Sequence, residues 1–250
     1  MTYLVYIYNL ILYQPLLNGL VLLYETVAFR DLGIAIILLT LLIRLLLYPL
    51  FHKSARHQAI LQEIQPKLRE LQEKHKDDYE ARNRASLELF RLHGVNPFAG
   101  IGFLVIQIPI LLALYHIFLN VLQPGLESQL YAFVAPPGEL NPLFLGLINL
   151  AEMNIVMVGL AAIAQYIQGK LSLPAAVAGK TPTTSEKVSR QMVFLAPAIT
   201  LIILWRLPAA ASIYWLTTTI FSVFQQYQIK KQLHGNVGQT TNRVNPKNGL

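Results

Sequence analysis

The sequence predicts an all-α polytopic membrane protein, and three observations carry that prediction. Hydrophobic residues make up 54% of the chain and charged ones only 13%, where soluble domains carry about a quarter charged residues. The mean hydropathy is +0.45. The apolar residues fall in long runs parted by polar stretches, and the basic residues gather in alternate polar stretches. Five transmembrane helices, an N-terminal interfacial helix and a cytoplasmic helical hairpin account for this pattern. The chain has no cysteine, which excludes disulfides, thiolate metal sites, a cysteine nucleophile and an acylated cysteine anchor. The first 29 residues hold no Lys or Arg, so the positive start of a cleavable signal or transit peptide is missing. A prokaryotic plasma membrane is the compartment this implies.

Residues 1–30 form the first element. The stretch is apolar but interrupted by Asn9, Gln14, Pro15, Asn18, Gly19 and Glu25, and it is rich in tyrosine (Tyr3, Tyr6, Tyr8, Tyr13, Tyr24). Tyrosine favours the headgroup level. A helix broken at Pro15 and lying in the outer interface fits this better than a crossing, although the length would permit one. Residues 31–51 follow as the first span, with Arg44 as its one internal charge.

Residues 52–95 have a different character, with nine Lys/Arg and seven Asp/Glu between His52 and His93. Ile60, Ile64, Leu68 and Leu71 recur at helical spacing, and Leu89, Phe90 and Leu92 follow after the break HKDDYE. Two amphipathic helices forming a hairpin outside the membrane are expected, with a kink or break at Pro66. The second span is expected over 97–122, opened by Asn96-Pro97. An extracellular loop over 123–148 contains Glu127 and Glu139 but no Lys or Arg. The third span is expected over 149–168, where Asn149 and Glu152 have the spacing of a helix start. A polar cytoplasmic linker covers 169–190. Spans four and five, 191–206 and 209–229, are joined by the turn Arg206-Leu207-Pro208. The Gly/Asn/Gln-rich tail 230–250 is expected to be disordered.

Orientation follows from the basic residues. The stretches 52–93, 169–190 and 230–250 hold nine, four and four Lys/Arg, against Arg30 and Arg206 on the other side. Positive residues mark the cytoplasmic side. The amino terminus is then outside and the carboxyl terminus cytoplasmic, which needs an odd number of spans. The net charge of +7 reflects topology rather than nucleic-acid binding.

Arg44 is the most informative residue. A charge within a span costs roughly 2.5–3.5 kcal/mol on insertion scales. It lies about seven residues from the cytoplasmic end of its span, roughly 10 Å deep at 1.5 Å per residue. It either faces a polar cavity or snorkels to the near interface. Thr40 is one turn away on the same face. Gln107 reaches a similar depth from the second span and precedes Pro109, and the fifth span adds Trp215, Thr217, Thr218 and Thr219. Together they describe a polar cavity in the inner half of the bilayer. Singly, each is an ordinary interhelical contact. No enzyme constellation, cofactor motif or metal-ligand spacing is found. Within the spans only His116 and Glu152 could act as acid or base, and neither has a convincing partner.

The order of these parts resembles the YidC family of membrane protein insertases. The carriers are GIAIILLTLLIRLLLYPLF (33–51), QEIQPKLRELQEKHK (62–76), GVNPFAGIGFLVIQIPILLALYHIF (94–118) and LAPAITLIILWRLPAAASIYWLTTTIFSVFQQYQIKK (195–231). The resemblance implies a groove open to cytoplasm and lipid and sealed outside, around Arg44, Thr40, Gln107, Trp215, Thr218 and Thr219. It also implies that residues 52–93 receive substrates. Nascent membrane proteins would be the substrates, with the ribosome, targeting factors and a Sec-type translocon as candidate partners alongside the lipid bilayer. Two departures stand out. Pro208-Ala209-Ala210-Ala211 replaces the usual Pro-Ala-Gly-Leu, and Thr218-Thr219 replaces the usual Ser-Asn. The family's long forms carry a large extracellular domain that is not seen here, and the short basic tail argues against strong ribosome binding through it. A small-solute or anion transporter and an assembly scaffold are the alternative functions.

Overall fold

The computed structural model describes residues 2–96, 98–123, 125–173 and 184–243. Those residues are mostly helical. In chain order they form α1 (Thr2–Tyr8), a π turn (Asn9–Tyr13), α2 (Gln14–Thr26), α3 (Leu32–Leu46), α4 (Tyr48–Lys74), α5 (Tyr79–Leu92) and α6 (Ala99–Asn120). A 3-10 turn (Leu126–Gln129), two short strands β1 (Leu143–Phe144) and β2 (Ile148–Asn149), α7 (Ile155–Leu171), α8 (Thr184–Leu204) and α9 (Ala209–Arg243) complete the list.

Several boundaries differ from the sequence expectation, each for a local reason. Pro15 does not break the N-terminal helix. It sits in the first turn of α2, directly after the π turn, and that wider turn accommodates a ring that would clash with the carbonyl four residues back. The stretch 31–51 is not one continuous helix. α3 stops at Leu46, and α4 leaves it at an angle of 73°. Pro49 falls in the first turn of α4, where its missing N–H could not have continued the α3 ladder. Pro66 lies inside α4 without ending it. α7 starts at Ile155 and not near Asn149, because Asn154 is the cap, accepting from Val156 N at 3.1 Å and Met157 N at 3.2 Å. Asn149 lies in β2 and donates to Glu152 Oε1 at 2.9 Å, so the Asn149/Glu152 spacing marks a turn rather than a helix start. The pairing of β1 with β2 was not expected at all. α9 continues past Ile229 to Arg243, through part of the stretch expected to be disordered. No proline interrupts it. Pro97, Pro124, linker residues 174–183 and tail residues 244–250 lie outside the described residues.

Among the described residues, Val5–Thr26 is the one helical stretch long and apolar enough by itself to cross a membrane, at 22 residues and mean hydropathy 1.3. The bent pair α3–α4 passes the same test when taken together, and shorter apolar stretches occupy Val105–Asn120, Ile155–Leu171 and Arg190–Leu204. α9 packs against α7 and α3, α7 also against α8, and α3 against α2. A continuous core unites Leu17, Leu20 and Val21 of α2 with Leu32, Ala35, Ile36 and Leu39 of α3. It extends to Leu114 and Ile117 of α6, Val158 and Ala161 of α7, and Ala209–Ala211 of α9. α4 and α5 pack on one another, and α4 also meets α6 and α9.

Candidate functional site

Helix periodicity sets the centre of the site. Ile36, Thr40 and Arg44 lie four residues apart on α3, one above another, and all are buried. Arg44 is only 3% exposed. Its guanidinium stands over the ring of Phe51, with Cζ 4.5 Å from the centroid. The bend at Leu47 makes this possible by folding the first turn of α4 back toward the end of α3.

Two cavities with polar linings meet at Arg44. The smaller, about 100 Å³, has walls from α4 (Phe51, Ser54, Ala55, Gln58), α7 (Gln168, Ser172) and α9 (Ser222, Gln225, Gln226). The larger, about 270 Å³, lies farther along the bundle between Gln107 and Leu111 of α6, Gln165 and Gln168 of α7, and Tyr214, Trp215, Thr218, Thr219 and Ser222 of α9. Arg44, Gln168 and Ser222 line both. Among the described residues lining these spaces Arg44 is the one charged side chain. Both are large enough and polar enough to hold water. A third cavity of about 190 Å³ continues from the second, sharing Leu111, Tyr214 and Trp215. Leu112, Tyr115, Phe118, Ile203, Leu207 and Ala211 complete its apolar and aromatic wall. The series therefore grades from polar near α4 to apolar at the other end.

Hydrogen bonds fix the walls. Gln107 Nε2 donates to the Tyr214 hydroxyl, joining α6 to α9. Gln165 Oε1 accepts from Trp215 Nε1 at 2.9 Å and also from Thr200 Oγ1, so one amide joins α7, α8 and α9. Gln226 Nε2 donates to Ser172 Oγ at 3.0 Å. Thr219 Oγ1 returns to Trp215 O at 2.7 Å. Lys230 Nζ donates to Leu171 O at the end of α7. Gln225 Nε2 is buried beside the first cavity without a protein partner, and a buried amide donor needs one.

The structure thus brings Arg44, Gln107, Trp215, Thr218 and Thr219 to one cavity. Thr40 is different. Its hydroxyl donates to Ile36 O of its own helix at 2.6 Å, and it is not among the lining residues. Sequence reasoning passed over Gln165, Gln168, Ser172, Ser222, Gln225 and Gln226. The signal was present as glutamines three residues apart in an otherwise apolar helix, Gln165 and Gln168, which share a face. Of the two candidate acid–base residues, His116 is exposed and its Nδ1 lies 2.9 Å from the Tyr8 hydroxyl, while Glu152 pairs with Asn149.

Comparison with known proteins adds to this geometry. The family model described as 60Kd inner membrane protein matches residues 22–236. The Membrane protein insertase YidC of Citrifermentans bemidjiense is 30% identical over 218 residues, covering 87% of this chain and 36% of that protein. The protein of the same name in Geobacter sulfurreducens is 30% identical over 222 residues, covering 88% and 37%. In Oceanobacillus iheyensis the identity is 32% over 205 residues, covering 80% of this chain and 75% of the relative. The chain spans little more than a third of the length of the first two relatives and three quarters of the third.

Proposed function

Given that this chain belongs to the 60Kd inner membrane protein family, we propose that it is an insertase moving apolar segments of nascent proteins from the cytoplasm into the bilayer. The observation that carries the reading is a buried arginine shared by two cavities with polar linings. A protein entering the membrane has polar or acidic residues that must pass through hydrocarbon. Water and the Arg44 charge part-way into the bilayer lower the cost of that passage. The third, apolar cavity then offers the entering segment a surface like lipid. From there it partitions sideways, driven by burial of its apolar surface. This chemistry transfers no group, so the proposed role is not enzymatic. Gln225 Nε2, buried beside the first cavity, is placed where water would satisfy it.

The topology belongs to the same proposal. Five spans, drawn from α3, α6, α7, α8 and the first part of α9, leave α4 and α5 as a cytoplasmic hairpin and residues 123–148 outside. The basic-residue count supports that orientation. An interfacial rather than spanning α2 is favoured by its neighbour. The non-helical segment after α6 follows the N-terminal region from Asn18, bonded to Gln129 and Tyr131, past Tyr24, bonded to Asn141, to Asp31, bonded to Leu145. Asp31 lies thirteen positions after Asn18. Irregular backbone following that path is suited to the water interface and not to hydrocarbon. The hairpin would meet substrates first, with the ribosome, targeting factors or a Sec-type channel as delivery partners.

The test uses liposomes containing only this protein and a small test protein with an acidic outside segment, scored by protease protection. Wild type is expected to insert it, and Arg44→Ala and Gln107→Ala to insert less. Equal insertion by both variants would keep the function and discard the site. Failure of folded wild type on several substrates would discard the insertase reading, and anion flux in the same liposomes would favour a transporter instead.

A further inference from the structure

A polar cavity reaching part-way into a membrane is a leak unless the other half is tight. Residues 126–152 follow α6 and precede α7, and they visit three helices on the way. At the start, Asn18 of α2 donates to Gln129 O at 3.3 Å and accepts from Tyr131 N at 2.6 Å. Next, the Tyr24 hydroxyl accepts from Asn141 N at 3.0 Å. Asp31, the cap of α3, accepts from Ile34 N with one carboxylate oxygen and from Leu145 N with the other. Phe144 lies directly on Gly33, so closely that a Cβ there would stand 2.2 Å from the ring. Finally, Glu152 O and Leu150 O accept from Ala209 N and Ala210 N at 2.8 and 3.3 Å, crossing the first turn of α9. Leu126, Val134 and Leu150 are buried in the same core as Leu114, Ile117, Ala209 and Ala210.

We propose that residues 126–152 are a strap sealing the outer end of the bundle against water and protons, and that Asn18 is the residue holding it in place. Asn18 is 3% exposed within an apolar helix, where a polar side chain is unfavourable unless bonded. One of its bonds goes to Gln14 O of its own helix. The other two reach the strap and leave the asparagine no better use. Leucine would suit the helix and its core but would strip the acceptor from Tyr131 N. The proposal rests on the topology proposed above, which puts this end outside.

The experiment is proton influx into liposomes reconstituted with the full chain, read by a trapped pH dye under a potassium diffusion potential, with no substrate present. Wild type is expected to hold the gradient. Asn18→Leu is expected to raise influx about tenfold and Tyr24→Phe, which removes a single hydroxyl, about threefold. The chain has no cysteine, so the pair Asn18→Cys with Tyr131→Cys can be read cleanly, leaky when reduced and tight when oxidised. If Asn18→Leu does not fold, the other two variants decide. Wild-type influx in the folded variants, or a leak that oxidation leaves unchanged, overturns the proposal. A wild type that holds the gradient yet inserts nothing would sink the insertase reading and leave the seal standing.

Discussion

The two ends of the bundle are built from the same helices and solve opposite problems. Where α3 and α9 begin, small residues let backbones approach. Gly33 touches Phe144, and Ala209, Ala210 and Ala211 are buried under the strap. Backbone donors there find backbone acceptors in the neighbouring segment. Where α3 stops, glutamine, serine and threonine side chains stand around open volume, with Arg44 among them. α3 shows the contrast within 15 residues. The comparison teaches that buried polar side chains at the loose end stand around volume that water can fill, whereas at the tight end one such as Asn18 is bonded directly to the neighbouring segment.

Substitutions at both ends test that contrast, beginning with the tight end. Gly33→Ala puts a methyl into the Phe144 ring and should destabilise the protein by about 1–3 kcal/mol, read as a lower unfolding midpoint in detergent. Adding Phe144→Ala should recover part of the loss. An unchanged midpoint in Gly33→Ala would mean that the close approach is not a constraint. At the loose end, Arg44→Ala should reduce insertion of the acidic test protein about tenfold, equivalent to about 1.4 kcal/mol, with less change in stability than Gly33→Ala causes. Arg44→Lys should keep part of the activity. Gln165→Leu strips the acceptor from Trp215 and Thr200 together. Its expected effect is about threefold on insertion, with a shift in tryptophan emission as the indole loses its partner. Normal emission in that variant would count against the three-helix junction. The smallest effect belongs to Thr40→Val, whose hydroxyl serves only its own helix. Insertion within about twofold of wild type is expected, and a loss as large as that of Arg44→Ala would return Thr40 to the site.

Much of the helical architecture was legible in the sequence because apolar runs and charge asymmetry are properties of whole segments. Arg44, Gln107, Trp215, Thr218 and Thr219 could be singled out because each departs from an apolar background. Gln165 and Gln168 depart as plainly, but nothing in the sequence states that α7 turns that face toward α3 and α9. The strap was illegible for a different reason. Its long-range ties join side chains of the N-terminal region to strap backbone more than a hundred residues on, as with Asn18 and Tyr131, and the backbone half of each pair carries no sequence signal. Local chemistry misled at Asn149/Glu152, where a cap-like spacing served a turn, and at the tail, where glycines at 235 and 238 did not stop α9.

The bend at Leu47 gives α4 the geometry of an unequal lever. The helix has 27 residues, a length of about 40 Å. Phe51, resting on Arg44, lies four residues from the pivot, while Lys74 lies at the far end. Turning the helix as a rigid arm through about 10° carries its tip roughly 7 Å and Phe51 only about 1 Å. Large excursions of the distal arm are therefore geared down to small ones at the arginine. Anything that grips α4 near Lys74 works with leverage on the Phe51–Arg44 contact, whereas motion that starts at the cavity is magnified at the tip.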